Sequence, residues 1–99
     1  MQVNHLINGK SQPSRDYFDT VNPATQETLA EVARGSTDEV NAAVAAAKAA
    51  FPAWAARPAT ERANLMRKLG ELIAKHVPEI AQTETKDTGQ VIAQTGKQL

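Results

Sequence analysis

Ninety-nine residues suffice for one small domain, which would bury only about 60–65% of the surface its unfolded chain exposes. Of the apolar residues 18 are alanine and 23 are larger, so helix is favoured while the core stays thin. Eleven basic residues balance eleven acidic ones and cysteine is absent, which excludes a strong electrostatic footprint for nucleic acid or anionic membrane, a disulfide framework, a Cys-ligated zinc and a thiol nucleophile within these residues.

No basic region precedes an apolar run at the N-terminus, and the longest apolar run elsewhere, Ala42 to Ala47, is far below spanning length. Neither secretion nor membrane insertion is expected, and a cytoplasmic location fits. Gln2 to Ile7 reads as a short strand ended by a tight turn at Asn8-Gly9. The polar stretch Ser11 to Asp16 reads as loop, and Tyr17 to Asn22 as a β-favouring run. Pro23 suits the second position of a turn, with Asn22 as its first residue. A partly exposed strand resumes over Glu27 to Ala33, so the chain reverses there and the two strands are expected to pair.

Ser36-Thr37-Asp38-Glu39 is a capping box that starts a helix. Val40, Val44, Ala47 and Phe51 form its narrow apolar stripe, and Pro52 is expected to stop or kink it. Pro58 or Thr60 opens a second helix with Leu65, Leu69, Leu72, Ile73 and His76 on one face, expected to be buried, and Arg67, Lys68, Glu71 and Lys75 on the other. Val77-Pro78 is expected to break it, leaving a third short helix from about Pro78 to Thr88 with Gly89 as its C-terminal cap. From Val91 an apolar pattern begins again and ends at Leu99.

Chemistry-bearing residues are few. His5 and His76 have no second ligand at zinc-site spacing and read as structural or solvated. Thr95-Gly96-Lys97 lacks the glycine spacing and the Ser or Thr of a phosphate-binding loop, and no G-x-G-x-x-G occurs. Glu84 and Asp87, one helical turn apart, read as a solvated pair, and Trp54 as a packing anchor.

The ordered set "LINGK", "VNPATQETLAEVARG", "DEVNAAVAAAKAAFPAWA", "ERANLMRKLGELI" and "ETKDTG" resembles the N-terminal portion of the NAD(P)-dependent aldehyde dehydrogenase superfamily. "DYF", "NPAT", "RANLMRKLGELI" and "VPEIA" are most similar to its hydroxymuconate semialdehyde branch. The resemblance implies an α/β parent with a Rossmann-like coenzyme domain, of which this chain is a truncated piece of short N-terminal strands followed by three helices. Residues 1–99 would be the N-terminal part of the coenzyme-binding domain, with a strand and turn segment at 1–35 and a helical segment at 36–99. The implied parent oxidises an aldehyde to the acid with NAD or NADP, through a cysteine thiolate and a glutamate base. Its implied partners are the remainder of the same polypeptide and a small-molecule aldehyde, in a homodimer or homotetramer. By the same resemblance Thr20 and Val21 match positions whose backbone carbonyls, with the carboxylate matching Asp87, hold a structural monovalent cation. The chain by itself is expected to have no catalytic residue, no cofactor-binding residue and no cofactor. Betaine aldehyde or another aldehyde class stays open as substrate, as does a stand-alone α+β module docking through the alanine-rich helix.

Overall fold

The computed structural model describes residues 1–98, with side chains through Lys97; Leu99, where the last apolar pattern ends, lies outside the described residues. The chain forms two compact units, each from two stretches of sequence: Met1–Thr20 with Ala30–Arg57, and Val21–Leu29 with the chain from Pro58 onward.

In the first unit the expected strand over 2–7 is divided at Asn4 into β1 (Gln2–Val3) and β2 (His5–Ile7). The Asn4 side chain explains the break, because its Oδ1 accepts the Tyr17 hydroxyl at 2.7 Å while its amide donates to Ser11 Oγ at 3.4 Å. Beyond that point the chain leaves one sheet and enters another. β2 pairs antiparallel with β3 (Lys10–Gln12), Ile7 opposite Lys10 and His5 opposite Gln12. The positive φ of Asn8 (54°) and Gly9 (71°) is the pattern of a type I′ hairpin turn, which forces the flanking residues into direct register. Ser11 and Gln12 are therefore strand rather than loop.

β4 (Tyr17–Val21) and β5 (Thr28–Ala33) flank the proline turn, and the three-stranded sheet has the order β1-β5-β4. β1 runs parallel to β5, with Gln2 opposite Glu31 and Val3 opposite Val32. Ala30 and Ala33 of β5 are buried, whereas Thr28 and Glu31 are exposed, in keeping with the partly exposed strand expected.

α1 spans Thr37–Ala56 behind Ser36, and the capping box is present in both directions. The Glu39 carboxylate accepts the Ser36 amide at 2.9 Å and also the Ser36 hydroxyl. Chiefly the Ser36 side-chain bond, then the backbone bonds, hold the Glu39 carboxyl below its ordinary value. Pro52 does not stop this helix, which continues through Trp54 to Ala56. Proline removes a single i→i−4 bond, and the alanines around it favour helix strongly enough to carry the chain on. The helix ends at Arg57, whose extended backbone (ψ 144°) is what the following Pro58 imposes. The expected apolar stripe is uncovered, with Val40 and Val44 each 60% exposed and Phe51 65% exposed. Where α1 faces the hairpin, Ala43, Ala46, Ala47 and Ala50 line a shallow groove of about 270 Å³ with Leu6 and Ile7.

In the second unit α2 is continuous from Ala59 to Thr88. This corrects the expected break at Pro78. Ala74, Lys75, Glu79, Ile80 and Ala81 around it either favour helix or tolerate it, and the lost bond is one among those of a 30-residue helix. Gly89 caps α2 as expected, with φ 79° and its amide donating to the Thr85 carbonyl at 2.9 Å. α3 (Ile92–Gln98) follows. Thr95 is fully buried, its hydroxyl 3.1 Å from that of Thr85 and 3.2 Å from the Val91 carbonyl. The face of α2 expected to be buried is open: Leu65, Leu69, Leu72 and Ile73 are between 40% and 49% exposed. Periodicity marks a face that can be covered without supplying the cover. Among the described residues Ala30, Ala33, Ala81 and Thr95 make up the buried set.

The helices can be tested at two points. Pro78→Ala restores a backbone donor to the interior of α2, so it should stabilise the helix by up to about 3 kcal/mol on intrinsic propensity and raise the melting temperature and the helical circular dichroism; an unchanged or lower melting temperature would show that the proline geometry is itself required. The Glu39 pKa is lower folded than unfolded, so the contribution of the box is complete above the ordinary value of 4.5 and disappears as pH falls through the folded value. Ser36→Ala should therefore melt below the unsubstituted chain at neutral pH, and the gap should close as pH falls through the folded value of Glu39. Coincident melts at neutral pH would remove the box from the account of how α1 starts.

Candidate functional site

Thr20 and Val21 are the last residues of β4, Thr20 partly buried in the first unit and Val21 41% exposed in the second. Asp87 lies exposed in the last turn of α2, also in the second unit. Val21 leads into a turn closed on itself. Asn22 Oδ1 accepts the Ala24 amide at 2.9 Å and the Thr25 amide at 3.4 Å. The Asn22 carbonyl accepts the Gln26 amide at 2.8 Å, and the Asn22 amide donates to the Glu27 carbonyl at 2.9 Å. This turn meets the end of α2: a Cβ built on Gly89 would lie 3.1 Å from Pro23 Cγ and 3.7 Å from Pro23 Cβ. The segment after Val21 and the helix end after Asp87 are thus in contact.

A carboxylate with backbone carbonyls is, as a donor set, suited to a hard monovalent ion, since such oxygens replace hydration without thiolate or imidazole. Asp87 also stands at the negative end of the helix dipole, which disfavours a carboxylate by itself and favours a cation beside it. Among the described residues no group of three or more His, Cys, Asp or Glu could hold a metal ion.

The remaining candidates are structural or solvated. Thr95 of the "TGK" stretch is a buried helical residue bonded to Thr85, so this stretch is no phosphate loop. His5 is a partly buried strand residue whose Nε2 has no hydrogen-bond partner, and its Cε1 would be 3.5 Å from a Cβ at Gly35, an ordinary contact. His76 is half exposed and 3.5 Å from Glu79. The Glu84 backbone carbonyl accepts the Thr88 hydroxyl at 2.7 Å, and Trp54 is 39% exposed.

Two arrangements escape a reading of the sequence. The first is a polar cluster in the first unit. Tyr17 Oη accepts the Ser14 amide at 3.2 Å, Ser14 Oγ donates to the Arg34 carbonyl at 2.9 Å, and Arg34 Nε pairs with Asp16 Oδ2 at 2.9 Å. The Arg34 guanidinium also lies 5.1 Å from the centre of the Phe18 ring, within cation–π range. These groups satisfy one another, which is a structural arrangement rather than a reactive one. The second is the approach of Pro23 to Gly89. Each residue is legible alone, as turn former and as helix cap, but their meeting at such a distance along the chain carries no local signal.

Residues 10–99 match the Aldehyde dehydrogenase family. The chain is 61% identical over 94 residues to 5-carboxymethyl-2-hydroxymuconate semialdehyde dehydrogenase of Escherichia coli, across 95% of this chain and 20% of that one. Its backbone superposes on HpcC of Thermus thermophilus with a TM-score of 0.94 at 38% identity, covering 99% of this chain and 19% of that one. It likewise matches PnpE in complex with nicotinamide adenine dinucleotide, with a TM-score of 0.90 at 36% identity, covering 97% and 20%. The chain spans about a fifth of the length of these relatives. The family match over nearly the whole chain establishes that this chain belongs to the aldehyde dehydrogenase family.

Proposed function

We propose that this chain acts as part of an NAD(P)-dependent oxidoreductase that converts a hydroxymuconate-type semialdehyde to its carboxylic acid. The observation that carries this reading is the 61% identity to the Escherichia coli semialdehyde dehydrogenase. The residues present do not fit a dinucleotide or a covalent aldehyde adduct: there is no glycine-rich turn of the Rossmann type and no cysteine. Cofactor binding and catalysis are therefore assigned to the remainder of a polypeptide of the relatives' length. The oligomer is taken to be a dimer or tetramer, and the location cytoplasmic. The role assigned to this segment is architectural, through its strands and helices and through a monovalent cation held by the Thr20 and Val21 carbonyls with the Asp87 carboxylate.

The functional test is NADH formation. A full-length polypeptide carrying this segment should oxidise 5-carboxymethyl-2-hydroxymuconate semialdehyde with a higher kcat/KM than betaine aldehyde, and the 99-residue chain should give no NADH with either. A reversed preference would overturn the substrate class, and turnover by the short chain would overturn the division of labour. For the cation, ligand binding to the folded state raises stability as RT ln(1 + [L]/Kd). Potassium should therefore raise the melting temperature of the full-length polypeptide more than a bulky organic cation at equal ionic strength, a control that removes general screening. Asp87→Ala should abolish that difference. A potassium-specific rise of equal size in both proteins would exclude Asp87 as a ligand.

A further inference from the structure

The second unit contains a contact that depends on an absent side chain. Gly89 has φ +79°, a conformation L side chains rarely adopt, and a Cβ there would meet the Pro23 ring at 3.1 Å. Whether such a contact is tolerated depends on whether the neighbour can yield. Pro23 can yield only through the pucker of its ring, because the turn around it is bonded on both sides. Asn22 Oδ1 and the Asn22 carbonyl hold the amides of Ala24 and Gln26 at 2.9 and 2.8 Å, and Gln26 Nε2 donates to the Pro23 carbonyl at 3.1 Å. On the other side, the Gly89 amide is bonded to the Thr85 carbonyl and the Gln90 amide to the Thr88 hydroxyl. Both partners of the contact are thus fixed by their own local hydrogen bonds.

We infer that Gly89 and Pro23 form a steric clamp in which the missing Cβ sets the distance between the turn after Val21 and the end of α2 that carries Asp87, making Gly89 a positioning residue for the oxygen donors on either side. The part of this inference that concerns the ion rests on the cation reading above; the clamp itself does not. The general glycine role at a helix C-cap accounts for the positive φ, but not for the proline ring held against it. The two causes separate experimentally, because asparagine tolerates a left-handed backbone while adding a Cβ, and Pro23→Ala removes the Cγ that this Cβ would meet.

The experiment is a double-mutant cycle of Gly89→Asn and Pro23→Ala in the full-length polypeptide, melted in a bulky organic cation and in potassium at equal ionic strength. Backbone strain at position 89 is common to both Asn variants and cancels in the cycle. In the organic cation, Gly89→Asn should lower the melting temperature less on the Pro23→Ala background than with Pro23 present. Equal losses on the two backgrounds would overturn the clamp. Should Gly89→Asn fail to fold, recovery of folding in the double variant supports the clamp and failure of the double variant overturns it. In potassium, the ion-specific rise should be lost in Gly89→Asn and regained in the double variant. A rise retained in folded Gly89→Asn would refute the positioning role. An unsubstituted protein with no ion-specific rise would refute the cation reading and with it the positioning role, leaving the clamp to be judged on the organic-cation cycle.

Discussion

The reversal at Asn22–Glu27 is the constraint on which the strand region depends. Two backbone bonds between its ends and two amides held by the Asn22 side chain close it, and β5 is thereby returned alongside β4. Only then can β5 serve as the central strand, with β1 added in parallel on its other edge. Parallel pairing needs a long connection, and here the intervening hairpin and β4 provide it. The cost of the turn is modest: one non-glycine residue, Gln26, takes a positive φ of 65°.

Neither unit has a deep core. The buried residues are small, Ala30, Ala33, Ala81 and Thr95, and each removes little apolar area from water. Local devices therefore carry much of the definition: the type I′ turn at Asn8-Gly9, the Ser36–Glu39 box, the Gly89 cap, and the bonds linking Asn4, Ser14, Tyr17 and Arg34. The larger side chains, Leu65, Leu69, Leu72, Ile73, Val40, Val44 and Phe51, remain open to solvent along two long helices. An amphipathic helix gains most of its stability from covering such a face, so these helices have more to gain from a partner surface than they draw from their own unit. A chain that spans a fifth of its relatives' length would leave such faces open.

The two internal prolines show how context outweighs a local rule. Pro52 and Pro78 both lie inside continuous helices, although each removes a backbone donor. Helix is retained because neighbouring turns keep their own bonds, and alanine and other good formers surround each site. A rule that ends helices at proline weighs one bond and ignores the rest of a 20- or 30-residue element.

By itself the sequence determined whatever is encoded over a few residues: the Asn-Gly hairpin turn, the Asn22-Pro23 reversal, the capping box, the Gly89 cap and the apolar face of α2. The ordered motifs also pointed to the family. Tertiary structure alone decided the division of the first strand at Asn4, the pairing of β1 with β5, the exposure of the apolar face of α2 and the meeting of Pro23 with Gly89, whereas α1 and α2 run through their prolines on local helix propensity that a proline rule underweights. Of the site, Thr20, Val21 and Asp87 were named by resemblance, whereas the contact that brings the turn after Val21 to the end of α2 was not legible at all. The physical reason is common to these cases: turns and caps are settled by bonds between near neighbours in the chain, while strand partners, uncovered faces and close approaches are settled by groups far away in sequence, whose positions no local pattern records.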